Sequence, residues 1–480
     1  MRDDLKALYE TLMPRPAARR AGRASLESLG DGTGLEGVPG ATADHSPLRP
    51  EQMGQLERLY RVDPEAVRAF LGRTQQTGPV TPDEARQMLD SIRRRFAAPA
   101  GPRAVAESLE RAPTPPPAGF TFDLYDPERL PIDVARTDFE EGADWFRYAV
   151  GAGIGGAMFH AGLLPLDPFR RHEDRPSLFS YALDAQLGKD LRVGMFADFA
   201  NGYYHARYIA KRFAQKRYPY VIHLGDVYYA GREAEVRAYL QEPLAEVLPA
   251  TELFMLQGNH EMYAKARPWL DYLDGKRMRD PARQRQEGTY FTLTRPGFLI
   301  IGADTEWFGA GRFRDPWLQL WLRNALERGR REGRMNILLT SDEPYTYGKA
   351  GTTDLYADIK PEISEGLVDL WLWGNTHYCA LFQRTPAFPF VGTCIGHAGF
   401  PYARVKAGAR EPAPTRWVED GTRFGGGAWP DPRPDRGNNG FCEMVLKTDG
   451  SVELEYIDWM GRSRHRARLA RGANGVVDFV

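Results

Sequence analysis

The sequence predicts an α/β fold of two mixed β-sheets in a sandwich flanked by helices, with an additional N-terminal helical region. From residue 190 onward, apolar strand-like runs alternate with helical stretches, and after His377 the pattern turns to strands alone. Four of the runs end in short acidic or amide clusters: Asp198, Gly225-Asp226-Val227-Tyr228-Tyr229, Gly258-Asn259-His260-Glu261 and Gly374-Asn375-Thr376-His377. An α/β sheet gathers ligands from separate strands at its carboxyl edge in this way.

The early runs are Leu191–Ala197, Tyr220–Leu224, Leu253–Leu256, Thr289–Leu293, Phe298–Ile301, Ile337–Thr340 and Leu370–Trp373. Helical periodicity falls at Tyr204–Gln215, Glu233–Glu246 and Pro316–Arg330. A β-α-β-α-β opening implies parallel strands joined by right-handed crossovers. The later runs Cys379–Gln383, Phe390–Cys394, Phe441–Lys447 and Val452–Asp458 suggest a second sheet finishing the domain. Between them a Gly/Pro/Arg-rich loop near 401–438 is long enough to form one wall of a cleft or to be disordered.

With 480 residues the chain has room for a large core and more than one domain. Its net charge of −1 argues against a nucleic-acid coat and disfavours a nuclease. The opening residues, MRDDLKALYE, have no basic segment followed by an apolar one, so no secretory leader is expected. Three cysteines (Cys379, Cys394 and Cys442) have no metal-binding spacing and read as structural, in a reduced, cytoplasmic protein.

Five segments are expected. Residues 1–50, rich in Arg, Ala, Gly and Pro, read as largely flexible, and 51–97 as a small helical module. In the module Asp63 and Thr81 sit at N-cap positions with proline next. Its apolar face is suited to packing on the main domain or to a protein partner. Residues 98–140 form a linker around Thr114-Pro115-Pro116-Pro117, residues 141–189 a helical lead-in packed on the catalytic domain, and 190–480 that domain. Tyr148 to Leu166 carries no formal charge, yet five glycines, His160 and a proline make it a poor membrane span, so no transmembrane helix is expected. The spacing Gly151-x-Gly153-x-x-Gly156 lacks an enclosing βαβ unit and does not read as a dinucleotide site.

The cluster series resembles the calcineurin-like metallophosphoesterases over roughly residues 190–460, with Gly225-Asp226 and Gly258-Asn259-His260-Glu261 matching intact. The resemblance implies two divalent or trivalent metal ions, which generate a hydroxide and neutralise phosphate oxygens. It assigns the bridging carboxylate to Asp226, the first metal to Asp198, and the second to the Asn259 carbonyl. His260 follows as the residue that protonates the leaving group, with Glu261 orienting it.

Departures from the family pattern are informative. Ala200 stands where a histidine is usual, while Tyr229 completes Gly-Asp-x-x-Tyr, similar to the purple acid phosphatase branch, where that tyrosine coordinates ferric iron. Ser341-Asp342-Glu343-Pro344 and Asn375 replace two further histidines. The implied first site is then Asp198, Asp226, Tyr229 and His377, suited to iron or manganese. The implied second site is Asp226, Asn259, Asp342 and Asn375, all oxygen donors, favouring manganese or magnesium over zinc. A weakened second site, leaving one metal or none, is the other reading of the same substitutions.

His397, His205 and Glu343 are candidates for second-layer or substrate contacts, whereas His223 reads as a core histidine. The basic runs at Lys276–Arg285 and Arg462–Arg468 read as solvated faces rather than a nucleic-acid module. The expected activity is metal-dependent hydrolysis of phosphate esters on a phosphorylated small molecule or protein, as a phosphatase or phosphodiesterase. Two alternatives stay open: an inactive binding or scaffold protein on the same fold, and a nuclease or cyclic-nucleotide phosphodiesterase.

Overall fold

A computed structural model of the chain describes residues 156, 159, 166, 168–174, 179–184, 188–202, 204–308, 311–348, 351–400, 402–405, 415–422 and 436–480. The expected segments 1–50, 51–97 and 98–140 lie outside the described residues, as does most of 141–189.

The chain builds two mixed sheets. Strands β2 (Leu191–Phe196), β3 (Tyr220–His223) and β4 (Glu252–Met255) run parallel. Helix α1 (Tyr204–Lys216) and a helical stretch α2 (233–244), which includes a π-helical segment at Val236–Gln241, make the crossovers. These strands are buried on both faces, so they read as continuous apolar runs rather than alternating ones. The strand period of two still sorts their side chains. Met195, Ile222, Phe254 and Leu256 join the core shared with the other sheet, while Phe196, Val221, Leu253 and Met255 pack with Ile209, Phe213, Leu240 and Trp269 on the helical side.

The second sheet contains β1 (Ser180–Ala182), β5 (Phe291–Arg295), β6 (Phe298–Gly302), β7 (Met335–Thr340), β8 (Leu370–Trp373), β9 (Cys379–Phe382), β10 (Val391–Ile395) and β11 (Thr415–Val418). Its order is β1-β5-β6-β7-β8-β10-β9-β11. The first sheet is completed by β12 (Gly440–Leu446), β13 (Val452–Asp458), β14 (Ser463–Arg471) and β15 (Val477–Phe479), in the order β15-β14-β13-β12-β2-β3-β4. The parallel strands β6, β7, β8 and β10 bring their carboxyl ends to one edge, as β2, β3 and β4 do in the other sheet.

Four strands differ from the sequence reading, the last being the short β15 at the end of the first sheet. The lead-in segment ends in β1, which pairs in parallel with β5; β11 lies inside the expected long loop; and β14 was read as a basic run. The arginines of β14 are matched to acids: Arg466 to Glu455 at 2.7 Å, Arg464 to Glu419 at 2.8 Å, and Arg468 to Asp449. In the other basic run, Lys276 is buried and donates to the Leu253 carbonyl at 2.8 Å, and Arg285 pairs with Glu252 at 2.7 Å. Both runs are spent on the fold.

Glu443 on β12 ties the sheet to α1. Its carboxylate accepts from Arg192 (2.8 Å), Lys216 (2.8 Å) and the Tyr218 hydroxyl (2.5 Å). Gly194, its register partner on β2, leaves room for Tyr218, because a Cβ there would stand 2.9 Å from that ring. Burial alone would raise the Glu443 carboxyl, but Arg192, Lys216 and Tyr218 outweigh it and hold it down at about 2 against an ordinary 4.5. A depressed acid stabilises the fold above pH 4.5 and loses that contribution as pH falls through 2. Glu443→Gln should therefore lose up to about 3 kcal/mol at pH 7. Urea unfolding should show the gap from wild type closing between pH 4.5 and 2; a gap independent of pH would refute it.

Candidate metal centre

The site lies where the carboxyl ends of both sheets meet. Asp198 follows β2, Asp226 follows β3, and Asn375 and His377 follow β8. Asp198, Asp226 and Asn375 all have left-handed backbone, with φ of 56°, 77° and 60°. Asp and Asn tolerate this region better than most side chains. The turns are held locally: the Asp198 amide donates to the Gly225 carbonyl (3.0 Å), and the Tyr228 amide to that of Ala200 (2.8 Å).

Asp198, Asp226 and His377 each offer a ligand atom, and the three atoms lie within 4.8 Å of one another. The hydroxyl of Tyr228 stands among them, 2.6 Å from Asp198 Oδ1, 3.1 Å from Asp226 Oδ2 and 3.0 Å from His377 Nε2. The tyrosine facing this cluster is therefore Tyr228, one residue before the Tyr229 singled out in the sequence. Tyr229 presents main-chain groups here: its amide donates to Glu235 (2.9 Å) and its carbonyl accepts from His260 Nδ1 (2.8 Å).

Glycines clear the space around the carboxylates. A Cβ on Gly258 would meet Asp226 Oδ1 at 2.0 Å, and Cβ atoms on Gly374 and Gly396 would stand 3.0 and 2.8 Å from Asp198 Oδ2. Asn259 opens helix α3 (Asn259–Tyr263); its amide nitrogen bonds the Tyr263 hydroxyl, and its buried carbonyl oxygen has no hydrogen-bond partner. Glu261 is buried in the same turn. It accepts from the Gly258 amide (2.9 Å) and the Asp226 amide (3.2 Å), so it caps the helix and fixes the Asp226 backbone.

Asp342 follows β7 and accepts from the Thr305 hydroxyl at 2.5 Å. The Asn375 amide nitrogen donates to Asp342 (3.4 Å) and to Glu343 (2.9 Å), which brings both acids to the same side of the site. His205 bonds the Gly399 carbonyl. The ring of His397 lies near Gly440 and its carbonyl accepts from Asn439 (2.9 Å). Both histidines are thus bound into the loop after β10, and neither ring has a bond to Asp198 or Asp226. His223 is a core residue: its ring packs 4.7 Å from Phe196, and burial lowers its pKa to about 3.

Two residues escaped the sequence reading. Tyr228 gave no signal apart from its neighbour. Glu306 did: Asp304-Thr305-Glu306 follows the apolar run of β6, the same strand-then-acid pattern as the four recognised clusters. Glu306 is fully buried, and neither carboxylate oxygen has a hydrogen-bond partner.

Residues 191–379 match the family model described as calcineurin-like phosphoesterase. This span is similar to a calcineurin-like phosphoesterase domain. Comparison with curated proteins gives no match. Among solved structures the chain is similar to the purple acid phosphatase PPD1 from yellow lupin (Lupinus luteus) seeds, at 14% identity and a TM-score of 0.47, over 61% of this chain and 56% of that one. It thus spans little more than half of the lupin protein. It is also similar to GAP50, the anchor in the inner membrane complex of Plasmodium, at 14% identity and a TM-score of 0.43, over 58% of this chain and 87% of that one. A dimetal phosphatase from Danio rerio matches at 13% identity and a TM-score of 0.38, over 57% of this chain and 97% of that one. Among the described residues, no helix is long and apolar enough to cross a membrane.

Metallophosphoesterases bind two metal ions, and the donors present fit that requirement. Asp198, Asp226 and His377 offer ligand atoms within 4.8 Å of one another, and the buried Asn259 carbonyl oxygen has no hydrogen-bond partner. Burial raises the Asp198 carboxyl from 3.8 to about 7, although Tyr228, Asp226 and the Asn375 amide work against it, and burial raises Asp226 likewise. Burial also lowers His377 to about 4, so the imidazole is neutral and its lone pair available.

A raised acid binds protons in the folded state that the unfolded chain has released. Its contribution is present below pH 3.8 and is lost as pH rises through about 7. With chelator present, the melting temperature should fall as pH rises across that window. Saturating Mn²⁺ should flatten the slope, because the cation replaces the protons. Differential scanning fluorimetry showing the same slope with and without Mn²⁺ would refute this account of the centre.

Proposed function

We propose that the protein is a metal-dependent hydrolase of phosphate esters. The observation that carries the reading is the convergence of Asp198, Asp226 and His377 from two sheets onto one point, beside the orphaned Asn259 carbonyl. Asp198, Asp226 and His377, with the Tyr228 hydroxyl, would hold the first ion, and Asp226, Asn259 and Asp342 the second. Iron or manganese suits the first set, and manganese or magnesium the oxygen-rich second one. When bound, such ions supply a nucleophile at neutral pH and neutralise the phosphate oxygens.

The chain's own residues account for positioning and proton transfer. His260 Nδ1 faces the Tyr229 carbonyl, which can only accept, so that nitrogen carries the proton and Nε2 is the atom open to chemistry. Burial lowers the imidazole pKa, and Asp226 counters it. A phosphate arriving beside the ring would raise its proton affinity. Nε2 would then protonate the departing oxygen. Glu261 acts at one remove, by fixing the Asp226 amide and the helix that carries His260.

The pairing of the arginines of β14 with acids supports a phosphorylated small molecule or protein over nucleic acid as substrate. Three free, buried cysteines fit a reducing, cytoplasmic setting. The inactive scaffold remains the second reading, because Asp342 and Asn375 stand where the family has histidines.

Turnover of an aryl phosphate monoester against its diester, with Mn²⁺ added, separates phosphatase from diesterase. His260→Ala should lower the favoured turnover by about 10²–10⁴-fold. Unchanged turnover would remove His260 from the reaction, and no turnover together with no bound metal would favour the scaffold. If iron occupies the first position, a visible tyrosinate band should vanish in Tyr228→Phe and survive in Tyr229→Phe; the reverse would return the ligand to Tyr229.

A further inference from the structure

His377 lacks the contact that usually orients a ligating imidazole. A ring that ligates through Nε2 ordinarily donates its far N–H to a fixed acceptor, which sets its rotation. Here Nε2 faces the cluster, 3.0 Å from the Tyr228 hydroxyl and 3.3 Å from Asp198 Oδ1. Among the described residues no protein group accepts from Nδ1. The ring instead has Phe400, whose centroid lies 4.1 Å from its own at a tilt of 31°. The same phenyl ring packs 4.4 Å from the ring of Tyr228.

Phe400 is itself held against the turn that carries Asp198. Its main-chain amide donates to the Asp198 carbonyl (2.9 Å), and the Ala398 amide to that of Ala197 (3.1 Å). Asn439 Nδ2 donates to the carbonyls of His397 (2.9 Å) and Phe400 (3.2 Å), which pins the loop after β10. Gly399 lets that loop lie flush, since a Cβ there would stand 2.2 Å from the Phe199 carbonyl oxygen. The Phe400 ring is buried in a cluster with Tyr228, Tyr229, Ala230 and Tyr263. A rigid side chain tied by its main chain to Asp198 and by its face to His377 sets the distance between the two. An imidazole that shares a cation's charge is also attracted to an aromatic face, which an aliphatic side chain does not offer.

We propose that Phe400 is a positioning residue of the metal centre, its ring replacing for His377 the orienting hydrogen bond that Nδ1 does not make. The proposal rests on the metallophosphoesterase reading, because it takes Asp198, Asp226 and His377 as ligands. Without the phenyl face, the imidazole is free to turn about its Cβ–Cγ bond. Nε2 then spends part of its time away from the cluster, and metal affinity falls.

Full-length protein, stripped of metal, is titrated with Co²⁺; calorimetry reads affinity and the visible spectrum reads ligand geometry. Phe400→Leu, which keeps apolar bulk without the ring, should weaken the tightest equivalent by about 10–100-fold and shift its visible band. Phe400→Tyr, which keeps the ring, should restore both. In a His377→Ala background Phe400→Leu should have no further effect on affinity. Phe400→Met, flexible and without a ring face, decides the matter if the leucine variant does not fold. A lowered melting temperature in chelator, with wild-type affinity and band in the folded ringless variants, would overturn the role of Phe400 and leave the phosphoesterase reading intact. An undiminished loss in the His377→Ala background would overturn the route through the imidazole. Failure of wild type to bind any Co²⁺ would sink the underlying reading itself.

Discussion

The structure depends on a concentration of buried negative charge that forms no ion pair with a lysine or arginine among the described residues. Asp198, Asp226, Glu261, Glu306 and Asp342 are buried where two sheets end, and burial raises all five acids. The histidines nearest them, His260 and His377, are driven toward neutrality by the same burial. Removing one partner from a buried charge pair costs several kcal/mol, and here no lysine or arginine among the described residues pairs with these acids. Protons can fill the deficit at low pH. Near neutrality, bound cations are the alternative.

The geometry of Tyr228 expresses the same deficit at atomic scale. One hydroxyl stands within hydrogen-bonding distance of Asp198, Asp226 and His377, yet it has one proton to give. The surrounding backbone keeps these acids close. The left-handed turns at Asp198, Asp226 and Asn375 are sparsely populated conformations, which persist where the surrounding structure fixes them. Gly258, Gly374 and Gly396 are needed because any side chain there would intrude on a carboxylate. Glu443, far from the centre, anchors the strand that delivers Asp198.

Much of this was legible in the sequence, for a physical reason. Parallel strands buried on both faces appear as uninterrupted apolar runs, so β2, β3, β4, β7 and β8 were marked by their composition, and the acidic or amide residue after each run by its position. Strand β14 was hidden because its register places Arg466 and Arg468 opposite Glu455 and Glu453 at a wet surface, where a strand has no need of apolar residues. The choice between Tyr228 and Tyr229 was also out of reach. Both are buried tyrosines after the same aspartate, and nothing in their spacing says that the Tyr228 hydroxyl is the one held among Asp198, Asp226 and His377. Glu306 was legible from the same strand-then-acid pattern, whereas Asp304, two residues before it, spends its oxygens on holding the turn.

The substitutions at the second position can be read as retuning or as decay, and the two differ in what they leave behind. A site that had lost its cation would keep the penalty of burying Asp342 and Glu306 and none of the gain. Any change of either to a neutral or apolar residue would then stabilise the fold, and such changes are among the commonest ways a protein becomes more stable. The chain instead carries both acids. It steadies one with the Thr305 hydroxyl and the Asn375 amide, and fixes the other through Asp304. It also leaves the Asn259 carbonyl without a protein partner, although burial makes an unsatisfied oxygen unfavourable. Buried, oriented oxygen acceptors are what an oxygen-liganded cation requires, and a decaying site has no physical reason to keep them oriented.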